Sequence, residues 1–256
     1  MKKLFVTILF IFCPLYFFSQ QVNFTPSIRV NYDASLKLGE KYQQFQKFVL
    51  IGNSQDYYFA AVQNYLNDTG QYKSRSGLDL KIVSDYFQER LIRTNAITNI
   101  FFKYGEDKIR YEEKVATKWV LYSDTKIING IKCQMAATNK YGRRWIAYFS
   151  KDYPQSLGPY KFNGLPGLIF ELYDTRDDYH FTLTKVEKFT DEFRFNLLAF
   201  KNYSKAKYLK AKYNLENTLA AFPGLEIGAE ESKYYESLLE KRKKMYNNPL
   251  ELKPFE

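Results

Sequence analysis

The sequence contains one histidine and two cysteines among its 256 residues. With only His180 available, zinc motifs that need two histidines are excluded, and a hydrolase triad would have a single candidate base. Cys13 lies in an N-terminal apolar run, so Cys133 has no intrachain partner once that run is removed. We therefore predict a fold without disulfides, in which Cys133 is a small buried hydrophobic residue.

Glycine and proline are also scarce, with 12 and 8 residues, whereas aromatic residues make up 18% of the chain. No Pro- or Ser-rich linker divides the sequence, and we find no internal repeat or low-complexity tract. The aromatic residues supply ample material for one core. The prediction is a single domain over residues 21–256 with a helical C-terminal tail.

The first 20 residues have the pattern of a secretory signal peptide. Lys2 and Lys3 precede an apolar run, which ends at the small and polar pair Ser19-Gln20. A retained membrane anchor is disfavoured because the run is shorter than the roughly 20 apolar residues that a span needs. Without its two lysines the chain keeps 36 basic against 28 acidic residues. We predict a basic exported protein, for which nucleic acid is not an expected partner.

Strand patterns dominate the middle of the chain. Residues 100–105, 118–124, 143–150 and 179–189 mix β-branched or aromatic residues with polar ones, in near-alternation in the last case. Turn signals at Gly105-Glu106-Asp107, Asn129-Gly130 and Tyr141-Gly142 separate them. The pattern predicts an α+β protein built on a mainly antiparallel β-sheet meander.

Helices are predicted on either side of that meander. Residues 78–93 carry apolar side chains at three-to-four spacing, which indicates an amphipathic helix. Residues 230–246 are charged on all sides apart from a shallow apolar stripe at Tyr234, Tyr235, Leu238, Leu239 and Met245. We expect this C-terminal helix to lie on the surface.

The stretch "GPYKFNGLPGLIFELYD", residues 158–174, concentrates turn chemistry in its first ten residues. Neither of the glycine-rich phosphate-binding patterns fits this spacing, and a strand rather than a helix follows it. The first ten residues also offer no nucleophile, metal ligand or general base. We therefore predict a structural corner that leads into a buried strand.

These residues carry a resemblance to a known family. "GLPGLI" at 164–169 resembles the namesake motif of the GLPGLI family of exported Gram-negative proteins, and the stretch from Trp119 to Asp174 is similar throughout. The aromatic pair after Gly142-Arg143 is Tyr148-Phe149 here, and "NNPLEL" at 247–252 resembles the family's C-terminal ending. The motif positions are Gly158, Pro159, Gly164, Leu165, Pro166, Gly167, Leu168 and Ile169, with Trp119, Cys133 and Trp145 as further core positions.

The resemblance implies a periplasmic or outer-membrane-associated protein without an established activity. Genes of the family often lie beside those for TonB-dependent outer-membrane receptors, which implies an accessory role with such a receptor or another envelope protein. The strand layout also resembles the curved half-barrel of periplasmic lipoprotein carriers. A curved sheet with exposed aromatic side chains would offer a groove for a lipid or peptide. No cofactor, metal or catalytic residue is predicted.

The alternative is a hydrolytic enzyme that uses carboxylates or a Cys133 thiolate. Candidate carboxylate pairs are Asp85 with Glu89, Glu112 with Glu113, and Asp191 with Glu192. Two basic clusters, at Lys205, Lys207, Lys210 and Lys212 and at Lys241, Arg242, Lys243 and Lys244, offer either an anionic-lipid contact or a solvated face. The sequence favours the non-catalytic reading, because each carboxylate pair lies in a charged stretch.

Overall fold

The computed structural model of the protein describes residues 21–71, 86–219 and 228–256. Within these ranges the chain forms fourteen strands and three helices. In chain order they are β1 Gln21–Phe24, β2 Ile28–Gly39, β3 Tyr42–Gly52, β4 Tyr57–Ala61, α1 Val62–Asp68, β5 Arg90–Thr94, β6 Ile97–Tyr104, β7 Asp107–Glu113, β8 Val120–Ile128, β9 Ile131–Lys140, β10 Arg143–Ser150, β11 Leu168–Asp174, β12 Tyr179–Lys188, β13 Phe193–Asn196, β14 Lys201–Asn202, α2 Lys205–Asn217 and α3 Ala229–Met245.

Two antiparallel meanders join into one sheet of twelve strands. The strand order is β14-β7-β6-β5-β4-β3-β2-β12-β11-β10-β9-β8, and only the β14–β7 pair is parallel. The seam is the antiparallel pair of β2 and β12, where Ala34 lies opposite Phe181. The predicted α+β fold with a mainly antiparallel meander is therefore confirmed.

The sheet curves strongly around one of its faces. β7 and β10 are eight strand spacings apart, which is roughly 38 Å in a flat sheet. Yet Lys161 bonds to Tyr111 on β7 and also lies over the ring of Tyr141, which precedes β10. Such a contact requires the two halves of the sheet to face each other. The concave face therefore encloses the main core, and the sheet stays open along its edges.

A smaller core covers the outer face of the central strands. In the ribbon of β1 and β13, Phe193 packs against both Phe24 and Tyr58, and Phe195 packs against Phe101. Central strands are therefore apolar on both faces. In β5, Leu91 enters the concave core and Ile92 enters the outer one, and both are fully buried.

This double burial explains one wrong prediction. Residues 90–93, expected at the end of a helix, are part of the strand β5. A strand covered on both faces carries consecutive apolar residues, which imitate helical spacing. Residues 78–85 of the same prediction lie outside the described residues.

The other predicted elements agree closely with the structure. The four predicted strands correspond to β6, β8, β10 and β12, and all three predicted turns join antiparallel neighbours. α3 is the expected surface helix, with no buried residue. Within the described part of the chain, no helix is both long and apolar enough to cross a membrane. The predicted signal peptide lies outside the described residues.

Candidate functional site

The glycine-rich segment fills the concave face of the sheet. Between β10 and β11 the chain crosses this face and buries Leu157, Tyr160, Phe162 and Leu165 in the main core. Phe162 packs 4.6 Å from the ring of Trp145, measured between centroids. The face on which an open groove was expected is thus occupied by the chain's own residues.

Close packing and backbone conformation explain the glycines of the motif. A Cβ on Gly167 would collide with the carbonyl oxygen of Ser150, and one on Gly158 would lie 2.5 Å from Cδ1 of Ile169. Gly164 is different, because it is exposed and takes a φ of +92° in open space. Two of the glycines therefore permit a close approach of chain segments, and the third permits a left-handed turn.

Lys161 lies at the centre of this face with a fully buried side chain. Its Nζ donates to the Tyr111 hydroxyl at 2.8 Å and to Glu251 Oε1 at 2.6 Å, and it pairs with Glu113. Burial alone would raise the pKa of Glu113, but Lys161 and Lys205 outweigh it and lower that pKa. The lysine thus holds two carboxylates from distant parts of the chain.

Arg143 ties the C-terminal tail to the sheet in the same region. It contacts two buried carboxylates, with Nη1 2.9 Å from Asp174 and 3.0 Å from Asp178. Its Nη2 donates to the Asn248 side chain at 2.7 Å, and its Nε donates to the Leu250 carbonyl at 2.9 Å. Because the guanidinium is almost fully buried, its charge-assisted hydrogen bonds hold the tail against β10 and β11.

We call these two clusters together the tail lock: Arg143, Asp174, Asp178, Lys161, Glu113 and residues 248–251. It joins segments that the sequence analysis singled out separately, namely Gly142-Arg143, the glycine-rich segment and "NNPLEL". Sequence reasoning did not identify Lys161 or Glu251 as functional positions. Both residues lie inside stretches that resemble the family, Lys161 in the glycine-rich segment and Glu251 in "NNPLEL". No sequence pattern in those stretches shows which residues they would contact.

The other core positions are structural by their contacts. Trp145 is fully buried, and its Nε1 donates to the Lys140 carbonyl at 3.1 Å. The Trp119 indole donates to the Asn163 carbonyl at 2.9 Å. Cys133 is fully buried, and burial raises the pKa of its thiol to about 11. A thiol of that pKa is protonated at neutral pH and a poor nucleophile.

Where the structure describes both members, the predicted carboxylate pairs do not face one another across a cleft. Glu112 is exposed and pairs with Arg110, whereas Glu113 points from the same strand to the opposite face and joins the tail lock. Asp191 and Glu192 lie in an exposed turn. Glu89 pairs with Lys212, while Asp85 lies outside the described residues. In the described ranges, no group of three or more His, Cys, Asp or Glu side chains could hold a metal ion.

The basic clusters are partly used within the protein. Lys205 pairs with Glu113, and Lys243 pairs with Glu240. Lys207 lies 4.3 Å from the ring centroid of Tyr203. The two clusters are therefore not a continuous surface of free cations.

A groove on the outer face of the sheet is the apolar feature that we connect with binding. Phe45 on β3 has 82% of its surface exposed, and it lies opposite Ser35, which in turn lies opposite His180. The groove has a volume of about 370 Å³ and is lined by Asp33, Ala34, Ser35, Phe45, Gln46, Lys47, His180 and Thr182. We call it the Phe45 groove. An aromatic centre with a charged and polar rim is typical of a protein interface.

His180, at the edge of this groove, is held between two carboxylates. Its Nε2 lies 3.0 Å from Glu171 Oε1, and its Nδ1 lies 3.0 Å from Asp177 Oδ1. The hydrogen bond to Glu171 raises the pKa of His180 and lowers that of Glu171. Because both ring nitrogens are engaged, the imidazole has no free nitrogen with which to act as a base.

Comparisons with known proteins identify the fold but no family. No family model matches the chain, and no curated protein matches it. Two structures of PNGF-II, in different crystal forms, resemble 75% of the chain with TM-scores of 0.56 and 0.55 and 12% identity. The chain corresponds to about a third of their length, because 34% and 33% of those chains are covered. At this identity the likeness shows a shared fold alone.

A LolA superfamily protein of Nitrosomonas europaea also matches, with a TM-score of 0.30 and 6% identity. The match covers 68% of this chain and 88% of that protein. With so low a TM-score, the likeness supports no statement about ligand or mechanism.

Proposed function

We propose that this chain is an exported, non-catalytic binding protein of the bacterial envelope, of the GLPGLI type, which docks a partner protein in the Phe45 groove. The partner would be an outer-membrane receptor or another envelope protein. The observation that carries the proposal is the 82% exposure of an aromatic side chain that lines a groove together with polar and charged residues.

Several of the positions through which the chain resembles the GLPGLI family come together in the fold. Arg143, Lys161 and "NNPLEL" lie far apart in the sequence, yet all of them meet in the tail lock. Residues that form one buried unit would be retained together for stability. This leaves the outer face free to carry the binding function.

The chemistry of the Phe45 groove favours a protein over an acyl chain. Six of its eight lining residues carry polar or charged side chains, whose hydrogen-bonding groups a partner protein can satisfy and an acyl chain cannot. Lys47 and Asp33 form an exposed ion pair with balanced charge. An apolar side chain of a partner can pack on Phe45 while the rim hydrogen-bonds to its backbone.

The hydrolytic alternative gains no support from the described residues. Cys133 is buried with a raised pKa, and the carboxylates of Glu113 and Glu251 in the tail lock are both paired with Lys161. A nucleophile beside an accessible base is the arrangement that such an enzyme needs.

Site-specific photocrosslinking in cells tests the proposal. A photoreactive phenylalanine analogue at position 45 should crosslink to one envelope protein, which is then identified by mass spectrometry. The same analogue at Phe255, which is 70% exposed, is the matched control. Phe45→Ser should abolish co-purification of the crosslinked protein, whereas Ile127→Ser, at a position that is 73% exposed, should retain it.

Two results would contradict the proposal. The first is recovery of the protein in the cytosol of fractionated cells. The second is a crosslinking pattern that is the same at positions 45 and 255, which would show that Phe45 has no specific partner.

A further inference from the structure

A second concave site lies on the outer face of the sheet, away from the Phe45 groove. It is an open cleft of about 620 Å³, bounded by α1, the turn between β6 and β7, and residues 195–200. Its lining residues are Asn64, Asn67, Asp68, Gln88, Arg90, Lys103, Tyr104, Gly105, Glu106, Lys108, Phe195, Asn196 and Phe200. We call it the Asn64 cleft, and its size falls in the range of small-molecule sites.

Two amide side chains in this cleft carry unused acceptors. Asn64 is fully buried, and its Nδ2 donates to the Gln88 carbonyl at 3.1 Å. Its Oδ1 and the Oδ1 of Asn67 are buried without any hydrogen-bond partner. Buried polar atoms without partners are uncommon and cost free energy, so two in one cleft indicate that a ligand with donor groups belongs there.

The charged residues of the cleft are largely neutralised. Arg90 Nε lies 2.9 Å from Asp68 Oδ2, which also accepts from the Tyr58 hydroxyl at 2.7 Å. At the rim Lys103 and Lys108 outnumber Glu106, so the net charge there disfavours a cationic ligand. An anion is disfavoured in turn by the two unpartnered amide oxygens. The site therefore suits a neutral ligand whose groups both donate and accept hydrogen bonds.

Aromatic side chains form the remaining wall. Phe195 and Phe200 pack 6.0 Å apart, and both contact Phe101 beneath them. Hydroxyl groups fit the amide oxygens as donors and the lysines as acceptors. The apolar C–H face of a sugar ring fits a phenylalanine surface.

We propose that the Asn64 cleft is a binding site for a neutral saccharide. The sugar hydroxyls donate to Oδ1 of Asn64 and Asn67, and a ring face packs against Phe200. This proposal uses a different face and different residues from the Phe45 groove, so either can fail without the other.

Titration of the chain beginning at residue 21 with neutral oligosaccharides tests the proposal. The probes are maltotriose, cellotriose and chitotriose, followed by two-dimensional NMR of the asparagine side-chain amides. We expect saturable binding of at least one probe, with shifts at Asn64 and Asn67. Asn67→Leu and Phe200→Ser should each weaken it about tenfold, the effect of one lost contact of 1.4 kcal/mol. Phe45→Ser, outside the cleft, should bind as the wild type does.

The variant Asn64→Leu gives an independent readout. If Oδ1 of Asn64 is unused in the protein alone, this variant should fold with its circular dichroism unchanged while losing the saccharide. Should that variant fail to fold, the partly buried Asn67 and Phe200 still decide the question. Absence of shifts with all three neutral probes, or preferential binding of inorganic phosphate or glucuronate, would overturn the proposal.

Discussion

The Nε of Arg143 donates to the backbone carbonyl of Leu250 at 2.9 Å, across 107 positions of sequence. The same guanidinium meets Asp174, so the C-terminal tail and the end of β11 share one buried cation. The contact fastens the tail to the ends of β10 and β11 in the curved sheet. A second contact, between Glu251 in the tail and Lys161, joins the tail to the glycine-rich segment. The fold therefore depends on its last residues as well as on its strands.

Arg143→Gln should destabilise the protein by about 3–5 kcal/mol, because it leaves the carboxylates of Asp174 and Asp178 buried without a cation. Urea unfolding followed by circular dichroism measures the change. Arg144→Gln is the matched control, since Arg144 is exposed and its contact is a 3.2 Å bond to the Tyr122 hydroxyl. Equal losses of unfolding free energy in the two variants would show that the buried cluster around Arg143 adds no more stability than an exposed arginine does.

Lys161→Met should weaken the pH dependence contributed by Glu113. In the wild type the pKa of Glu113 is lowered, so its contribution is present above the ordinary value of 4.5 and is lost as the pH falls through the folded pKa. Without Lys161, only Lys205 offsets the effect of burial, so the pKa of Glu113 should rise and acid should cost the variant less stability than it costs the wild type. The stability difference between the two proteins should be largest near pH 7 and shrink towards pH 4.

Urea midpoints at intervals between pH 4 and 7 measure this difference. Lys126→Met serves as a control, because Lys126 pairs with the buried Glu171 but is itself 47% exposed. A difference between wild type and Lys161→Met that is constant with pH would contradict the assignment of the effect to Glu113.

The three glycines of the motif should differ in their tolerance of alanine. Gly167→Ala should be the most destabilising, because its Cβ meets the backbone of Ser150. Gly158→Ala should come next, because its Cβ would lie 2.5 Å from the Ile169 side chain and 2.6 Å from the Phe162 carbonyl oxygen, a smaller overlap than at Gly167. Gly164→Ala should cost about 1–2 kcal/mol, the strain of a left-handed backbone in open space. Thermal melts rank the variants, and a Gly164 variant less stable than the Gly167 variant would refute this order.

Turn residues in the sequence predicted the hairpins. They did not predict that the glycine-rich segment would fill the concave face of the sheet. Asn129 and Gly130 have φ values of 50° and 78°, as their sequence indicates for a tight turn. Strand β2 was missed, although its buried residues alternate regularly from Ile28 to Leu36 and offered a clear signal. The helix predicted over residues 90–93 was wrong, because strand β5 is buried on both faces and therefore lacks the alternation of apolar and polar residues that identifies a strand.

The tail lock lies beyond sequence reasoning for a different reason. Glu251 and Lys161 are 90 positions apart, and only the curvature of the sheet brings them together. An ion pair of this separation leaves no periodic pattern in the chain. The same holds for the Phe45 groove, where three residues become neighbours through the pairing of β3, β2 and β12. The Phe45 groove therefore depends on the register in which β3, β2 and β12 pair.

Cys133 should resist alkylation in the folded protein. Burial raises the pKa of its thiol to about 11, so the thiolate is scarce at pH 7.5 and the sulfur is out of reach of reagent. In the chain beginning at residue 21, Cys133 is the sole cysteine. Mass spectrometry after iodoacetamide should show little modification in buffer and complete modification in urea. Rapid alkylation of the folded protein would contradict this prediction and support the alternative of an enzyme that uses a Cys133 thiolate.

His180 should titrate above its ordinary pKa of 6.5, because it is hydrogen-bonded to Glu171. A group with a raised folded pKa stabilises the protein fully below 6.5 and loses this contribution as the pH rises through the folded value. Wild-type protein should therefore lose stability relative to His180→Gln between pH 6.5 and the folded pKa. As the chain has one histidine, NMR of a single imidazole measures that pKa directly.

Glu171→Gln should move the imidazole pKa downward, since it removes the first cause of the shift. Glu187→Gln is the matched control, because Glu187 lies on the same strand as His180 and pairs instead with Lys185. If the pKa of His180 is the same in the wild type and in both variants, the hydrogen bond to Glu171 does not cause the raised pKa. If only Glu171→Gln lowers it, the charge at the edge of the Phe45 groove is set by the carboxylate on β11. A partner docked there would then meet an imidazole that keeps its proton to a higher pH than an ordinary histidine, and its affinity should fall as the pH rises through the folded pKa of His180.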